Sequence, residues 1–375
     1  MIRNIELNNF KSHKHTHLDF SNLTVLCGSN GVGKSSALQA LLLLRDSFFN
    51  KKPFEYLDLK SKSVSVGTAK VALYEFSESK KITFRIFSDI QNMTFTFQVN
   101  DPEKTLIQKF EHTLDIAKLD AEPLFSKNCQ FISAARLGPQ QSYPKDDVVV
   151  DVNNQISLNE GKAEHFVHFL QRKKNMNVIE ELCLQSVKFT DLFSQVTAWE
   201  RELSTGVNVL VQDIGNLGYE LKYKFNTTGN DTTNEYKASD AGFGLTYVMP
   251  VIVAILSAPK DSLLFIENPE SHLHPNGQAK LTELICLAAQ AGIQIVLETH
   301  SDHIVNGILV QCKNFKEYSK GIDRENVSIY HFNRDEEKHC TKAEKVSIDE
   351  DGRIRYAPKG FFDQFTIDRK RLMGF

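Results

Sequence analysis

Residues Gly28 to Ser35 read G-S-N-G-V-G-K-S, an uninterrupted G-x-x-x-x-G-K-S. Three glycines let the backbone wrap a phosphate chain and turn its N–H groups inward. The motif follows an apolar run, Leu23 to Cys27, and precedes a helical pattern from Ser36 to Leu44. Strand, glycine-rich turn and helix are the context such a loop needs, and the helix start adds partial positive charge. The candidate nucleotide-binding residues are therefore Asn30, Gly31, Gly33, Lys34, Ser35 and Ser36. In this pattern Lys34 reaches the β- and γ-phosphates of ATP, and the Ser35 hydroxyl binds Mg²⁺.

A second group of polar residues lies far downstream. Ser262 to Ile266 is an apolar strand that ends in Glu267, where a carboxylate can hold Mg²⁺ directly or through water. Asn268, Pro269 and Glu270 continue it towards Pro275. Another buried strand, Ile293 to Leu297, runs into Glu298-Thr299-His300-Ser301. Polar residues at the carboxyl ends of such strands are where open α/β sheets bind ligands. Upstream, Ser239, Gly242 and Gly244 lie in a small-residue turn that opens the apolar helix Tyr247 to Leu256, a second anion-binding helix start. Arg136 follows the strand Gln130 to Ala134, where it is placed for a γ-phosphate, a lid loop or a surface ion pair.

Around these residues the chain reads as strand-rich at first: Ile2–Leu7 alternates, and alternating runs at Ala69–Phe76, Ile82–Phe87 and Met93–Val99 suggest an antiparallel meander. Lys51 to Lys62 reads as a loop, residues 160–203 read as mostly helical, and Val178, Ile179, Leu182 and Leu184 fit a helix packed on one side. Strands follow at Val207–Val211 and Tyr219–Phe225, and Asn226–Asn234 is a turn-rich tip. His13, His15 and His17 alternate along what reads as a solvated strand face. Asp351-Gly352 reads as a hairpin turn between Val346–Ile348 and Arg353–Tyr356, in preference to a D-x-D metal site. His272 and His274 lack a third ligand at zinc spacing.

The 375 residues carry 41% hydrophobic residues and a net charge of −3, which suits a globular chain and gives no bulk electrostatic case for nucleic acid. Basic clusters at Arg172–Lys174 and within Lys313–Lys320 read as solvated helix faces. The six cysteines are scattered without a C-x-x-C, the pattern of reduced thiols, and no apolar stretch is long enough for a membrane span. The expectation is a cytoplasmic chain with no membrane partner. The expected division is 1–144 and 236–335 as two parts of one ATPase core, 145–235 as an insertion, and 336–375 as a small tail domain.

This constellation resembles the ABC/SMC-like ATPases, closest to the RecF-like and OLD-like group. Asn9-Phe10-Lys11-Ser12 resembles that group's opening N-F-(K/R)-S, and Gly28–Ser35 its Walker A motif. Ser239–Gly244 is similar to a degenerate ABC signature, Ile266–Pro275 to D-E-P-E-x-x-L-H-P, and His300 to the switch histidine. The ending, Val346–Phe375, is similar to the C-terminal domain of one branch of these ATPases. The resemblance implies an α/β fold: an ABC-type P-loop head with an N-terminal antiparallel β subdomain and a helical insertion. It also implies ATP and Mg²⁺, with Gln140 as the glutamine that senses the cation. Two subunits would clamp two ATP molecules, Ser239 and Gly242 touching a γ-phosphate in trans. A homodimer or higher homo-oligomer, a protein effector partner and a place in antiviral defence follow from the same likeness.

One departure matters. By resemblance the metal carboxylate is Asp and the next residue a catalytic Glu; here Glu267 and Asn268 stand in those places. An amide cannot take a proton from water, so Asn268 can only orient it. Glu270 or His300 would have to act instead, or turnover is slow, below the ~10 s⁻¹ of a typical enzyme. The reading is a slow ATPase used as a switch. The alternative is a RecF-like DNA-binding repair clamp, with nucleic acid on a surface of the dimer; a transporter ATPase fits least.

Overall fold

The computed structural model describes residues 1–50, 52–227 and 231–374. It opens with the hairpin β1 (Ile2–Phe10) and β2 (His13–Asp19), followed by β3 (Leu23–Gly28) and α1 (Lys34–Phe48). Next come β4 (Tyr56–Asp58), a helical turn α2 (Ala69–Ala72), β5 (Lys81–Ser88), β6 (Asn92–Gln98), β7 (Leu106–Thr113) and β8 (Cys129–Ile132). The middle holds α3 (Phe166–Arg172), α4 (Leu192–Leu203), β9 (Val207–Asp213), β10 (Tyr219–Phe225) and β11 (Tyr236–Lys237). The rest is α5 (Phe243–Ser257), β12 (Leu263–Glu267), α6 (Pro275–Gln290), β13 (Gln294–Glu298), α7 (Asp302–Tyr318), β14 (Val327–Asp335), β15 (Cys340–Val346) and α8 (Gln364–Leu372).

The central sheet has the order β15-β14-β3-β13-β12-β8, parallel throughout except for β15 at one edge. Its strands are short apolar runs because both faces are covered. Leu264 and Ile266 pack into one hydrophobic cluster while Leu263 and Phe265 pack into the other, and Ile295 and Leu297 part from Val296 in the same way. The first cluster is filled by α5, α6, α7 and the segment 145–225. The second is filled by α1 and by the antiparallel sheet β2-β1-β5-β6-β7-β4. Helix α1 lies between two sheets, which is why Leu38 and Leu41 to Leu44 leave it no polar face over that stretch. In the antiparallel sheet Ile82, Phe84, Ile86 and Met93, Phe95, Phe97 point inward on alternate positions, as their period predicts.

Several expected elements differ. Ala69–Phe76 is a four-residue helical turn followed by a bridge of Leu73 to Phe10 and a turn at 75–76: Ala69 and Ala72 are buried one turn apart, so the spacing that suggested a strand is that of a turn. In 160–203 only α3 and α4 are helices longer than a single 3₁₀ turn. Val178 instead donates its N–H to the Thr190 carbonyl at 2.9 Å, and a single 3₁₀ turn spans Glu180–Leu182. The loop expected at 51–62 contains β4, with Lys51 outside the described residues. The expected tip 226–234 has its residues 228–230 outside them as well. The tail expected from 336 begins as β15, an edge strand of the central sheet. His13 is fully buried, while His15 and His17 are exposed. No helix among the described residues is long and apolar enough to cross a membrane.

Candidate functional site

The loop between β3 and α1 has Gly28, Gly31 and Gly33 at φ 135°, 74° and 106°, a region open to glycine and strained for other residues. A side chain at Gly33 would meet the hydroxyls of Thr341 and Ser12, so the loop is also too crowded there for a Cβ. Gly33 caps α1 without a side-chain bond, and the first turn carries no acidic residue. The first N–H groups of α1 are thus left for an external anion. His13 backs the loop from behind: its ring lies between Thr16 Oγ1 at 2.9 Å and the Gly33 carbonyl at 3.0 Å. Burial holds its pKa down to about 4, so it stays neutral.

Lys34 is buried, and its ammonium donates to the carbonyls of Gly28 at 3.0 Å and Ser29 at 2.7 Å. Burial lowers its pKa, against the pull of Glu298 at 3.9 Å. The Ser35 hydroxyl donates to Glu298 Oε1 at 2.9 Å. The strand order explains this. β13 lies between β3 and β12, and Glu298 and Glu267 end neighbouring strands in register. Burial, then the Glu267 charge, pushes the Glu298 carboxyl up to about 7. Glu267 is raised too by burial, and its Oε2 accepts the Ala134 N–H at 3.0 Å.

These side chains line one open cleft of about 540 Å³ with Asn30, Gly31, Gly33, Lys34, Ser35, Ser36, Asn268 and His300. Asn268 sits at φ 43°, a left-handed position that asparagine tolerates better than glutamate, and its N–H bonds the Glu298 carbonyl at 2.8 Å. That conformation gives a local reason for an amide at this position. Glu270 Oε1 accepts the His300 N–H at 3.0 Å, so Glu270 anchors the loop bearing His300. Burial and Lys34 lower the His300 pKa.

The cleft fits a phosphate-bound Mg²⁺. Asn268 Oδ1 and Glu298 Oε2 are buried without a partner among the described residues, in a cleft lined by Ser35 and Glu267; Glu270, whose Oε2 is also unpartnered, does not line it. No group of three His, Cys, Asp or Glu among the described residues forms a metal cage. A hydroxyl and two carboxylates lining one cleft suit Mg²⁺, which keeps waters and takes one or two carboxylates plus substrate phosphates.

Two expected residues stand elsewhere. Arg136 is buried behind the cleft, donating to the carbonyls of Tyr247 at 2.8 Å, Ser133 at 3.1 Å, Glu267 at 2.8 Å and Asn268 at 2.9 Å. Its guanidinium also lies 4.0 Å from the Tyr247 ring. With these donors spent on carbonyls, it clamps the end of β12 against α5 and does not face the cleft. Gln140 is exposed and does not line the cleft; its backbone N–H bonds the Tyr143 hydroxyl at 3.2 Å.

The turn before α5 is also away from the cleft. Ser239 and Gly242 are exposed, and among the described residues the Ser239 hydroxyl bonds Asp240, at 3.0 Å. Gly242 sits at φ 94° with open space where a side chain would be. Gly244 instead touches its own chain: a Cβ there would come within 2.6 Å of the His272 carbonyl. His272 packs on Phe243 and Tyr247 at 4.6 and 4.9 Å between ring centres, so α5 and the loop after β12 form one unit.

Lys11, Ser12, Gln39, Ala134 and Glu298 also line the cleft and were absent from the expected set. Lys11 donates to Gln39 Oε1 at 2.8 Å. The signal for Glu298 was present: it ends an apolar strand as Glu267 does.

Residues 23–306 match the family described as "AAA domain, putative AbiEii toxin, Type IV TA system". Residues 322–372 match a family of unknown function, DUF3696. The Septu protein PtuA of Bacillus mycoides (strain KBAB4) is 34% identical over 125 residues, 30% of this chain and 17% of that protein. The chain thus matches under a fifth of that relative's length. In fold it is similar to an SmcHead bound to the C-winged helix domain of ScpA (TM-score 0.56, 15% identity, covering 92% and 98% of the two chains). It is also similar to the Smc head domain with an extended coiled coil bound to the C-terminal domain of ScpA, derived from Pyrococcus furiosus (TM-score 0.53, 14% identity, 99% of each). The fold is that of these Smc head domains.

Proposed function

Because this chain belongs to the AAA-domain family matched by its residues 23–306, we propose that it is a slowly hydrolysing ATPase that dimerises around ATP and gates a protein effector. The observation that carries this reading is the separation of two helix starts that have no side-chain cap. The α1 start lies in a cleft lined by Lys34, Ser35 and Glu267, while the α5 start is exposed, uncapped and away from it. An exposed helix start without a side-chain cap suits the γ-phosphate of a second subunit.

In this reading the loop N–H groups and Lys34 hold the phosphates. Mg²⁺, when bound, neutralises phosphate charge, and Ser35 and Glu267 would hold it. Lys34 exchanges the Gly28 and Ser29 carbonyls for phosphate oxygens. Asn268 orients water without accepting its proton, which keeps hydrolysis slow. Arg136 keeps the ends of β12 and α5 locked together, so closure at Ser239 and Gly242 would be felt at Glu267 and Asn268. The partial likeness to a Septu protein supports antiviral defence as the setting. The likeness to Smc heads bound to ScpA domains supports a protein partner on the head.

The test is complementation. Lys34→Ala and Ser239→Arg chains, each inactive alone, should on mixing rebuild one composite site and recover ATP hydrolysis. No recovery at any mixing ratio, with both chains folded, removes the trans arrangement.

A further inference from the structure

We propose that Glu298 is a second carboxylate of the cation site, holding Mg²⁺ together with Ser35 and Glu267. The proposal rests on the ATP-binding reading above and extends it to a residue outside the phosphate-loop, signature and Glu267 motifs.

The placement comes first. Glu298 ends β13, between the strand that enters the phosphate loop and the strand that ends in Glu267. Glu267 and Glu298 are register partners on parallel strands, so their backbones are about 4.8 Å apart and their side chains leave on the same face. Both line the cleft with Ser35. Glu298 Oε1 already accepts the hydroxyl hydrogen of Ser35, the group that binds Mg²⁺ in a phosphate loop.

The unsatisfied chemistry comes second. The Glu298 residue is 5% exposed, and its Oε2 is buried without a partner among the described residues. A buried carboxylate oxygen without a donor or cation is costly and calls for a ligand. Lys34 does not fill that role in the loaded site. It stands 3.9 Å from Oε1, donates to two loop carbonyls, and turns to phosphate oxygens when nucleotide binds. Two carboxylates beside a triphosphate then repel it unless a divalent cation sits between them. The backbone carbonyl of Glu298 is engaged separately by the Asn268 N–H at 2.8 Å, which leaves the side chain free for the metal.

The consequence is a steep dependence of ATP affinity on Mg²⁺. Fluorescent mant-ATP is titrated with Mg²⁺ and with EDTA into the wild-type chain, Glu298→Gln, Glu298→Asp and Glu267→Gln, with circular dichroism to check folding. Glu298→Gln should lower the Mg²⁺-to-EDTA affinity ratio about tenfold, strengthening Mg²⁺-free binding and weakening the Mg²⁺ form. Glu298→Asp keeps the charge but withdraws the oxygen, so it should need more Mg²⁺ for half-saturation; it carries the test if the Gln variant fails to fold. An unchanged ratio in folded Glu298 variants that still bind mant-ATP overturns the proposal. A wild-type chain that binds no mant-ATP under either condition overturns the ATP reading instead.

Discussion

The starts of α1 and α5 are built alike and placed differently. Each is capped by a glycine at positive φ, 106° at Gly33 and 94° at Gly242, with no side-chain cap and no acid in the first turn. Around α1, Lys34, Ser35, Glu298 and His13 hold the loop in a shape ready for phosphate. Around α5, among the described residues, Ser239 bonds its neighbour Asp240 and Gly242 faces open space. The α1 start lies in a lined cleft, and the α5 start is exposed; in the proposed function the second meets an anion held by another subunit. A helix dipole and spare N–H groups bind an anion only when something else positions it.

The sharpest way to break the contrast is Lys34→Ala. Charge-assisted hydrogen bonds contribute about 1.5–3 kcal/mol each, so ATP affinity should fall by about a hundredfold in a titration by calorimetry. Ser239→Arg should do the reverse: affinity in the isolated chain within about threefold of wild type, with ATP-dependent association lost in ultracentrifugation. Equal losses of affinity in both variants would mean that the α5 start serves its own chain.

Asn268→Glu sharpens the account of slow turnover. A positioned base contributes about 10²–10⁴-fold, so steady-state phosphate release should rise at least tenfold. Left-handed strain at φ 43° should lower stability by about 1 kcal/mol in urea unfolding. Faster turnover without that cost would mean that the backbone does not select the amide.

The smallest effect concerns pH. The ligand-free Glu298 carboxyl is raised from 4.5 to about 7, so the folded chain binds its proton more tightly than the unfolded chain does. That contribution is full below pH 4.5 and is lost as pH rises through 7. Glu298→Gln should therefore flatten the fall in stability across this window and raise the ligand-free Tm at pH 8 by on the order of 2 °C. An unchanged pH profile would place that titration elsewhere.

The central sheet was legible because strands buried on both faces are short apolar runs, and Leu263–Glu267 and Gln294–Glu298 are such runs. The phosphate loop was legible because its glycines answer to backbone geometry that a motif records. Segment 160–203 was not: its apolar residues answer to α5 and the sheet behind them, and Trp199 and Leu182 are buried there without a helical period joining them. Arg136 shows the same limit within the site. Its sequence position next to a strand end suits a phosphate ligand, and only the fold reveals the four carbonyls that claim it. Glu298 was visible as the end of an apolar strand, but nothing local places that strand between those of Gly28 and Glu267.

The most direct test of the composite site is the mass of the protein in solution, by light scattering, without nucleotide and with Mg²⁺ and ATP. The account predicts that ATP doubles the mass from the 42.6 kDa of one chain, and that Ser239→Arg stays at the nucleotide-free value while still binding ATP. A mass that ATP leaves unchanged, at concentrations that saturate the cleft, would contradict it.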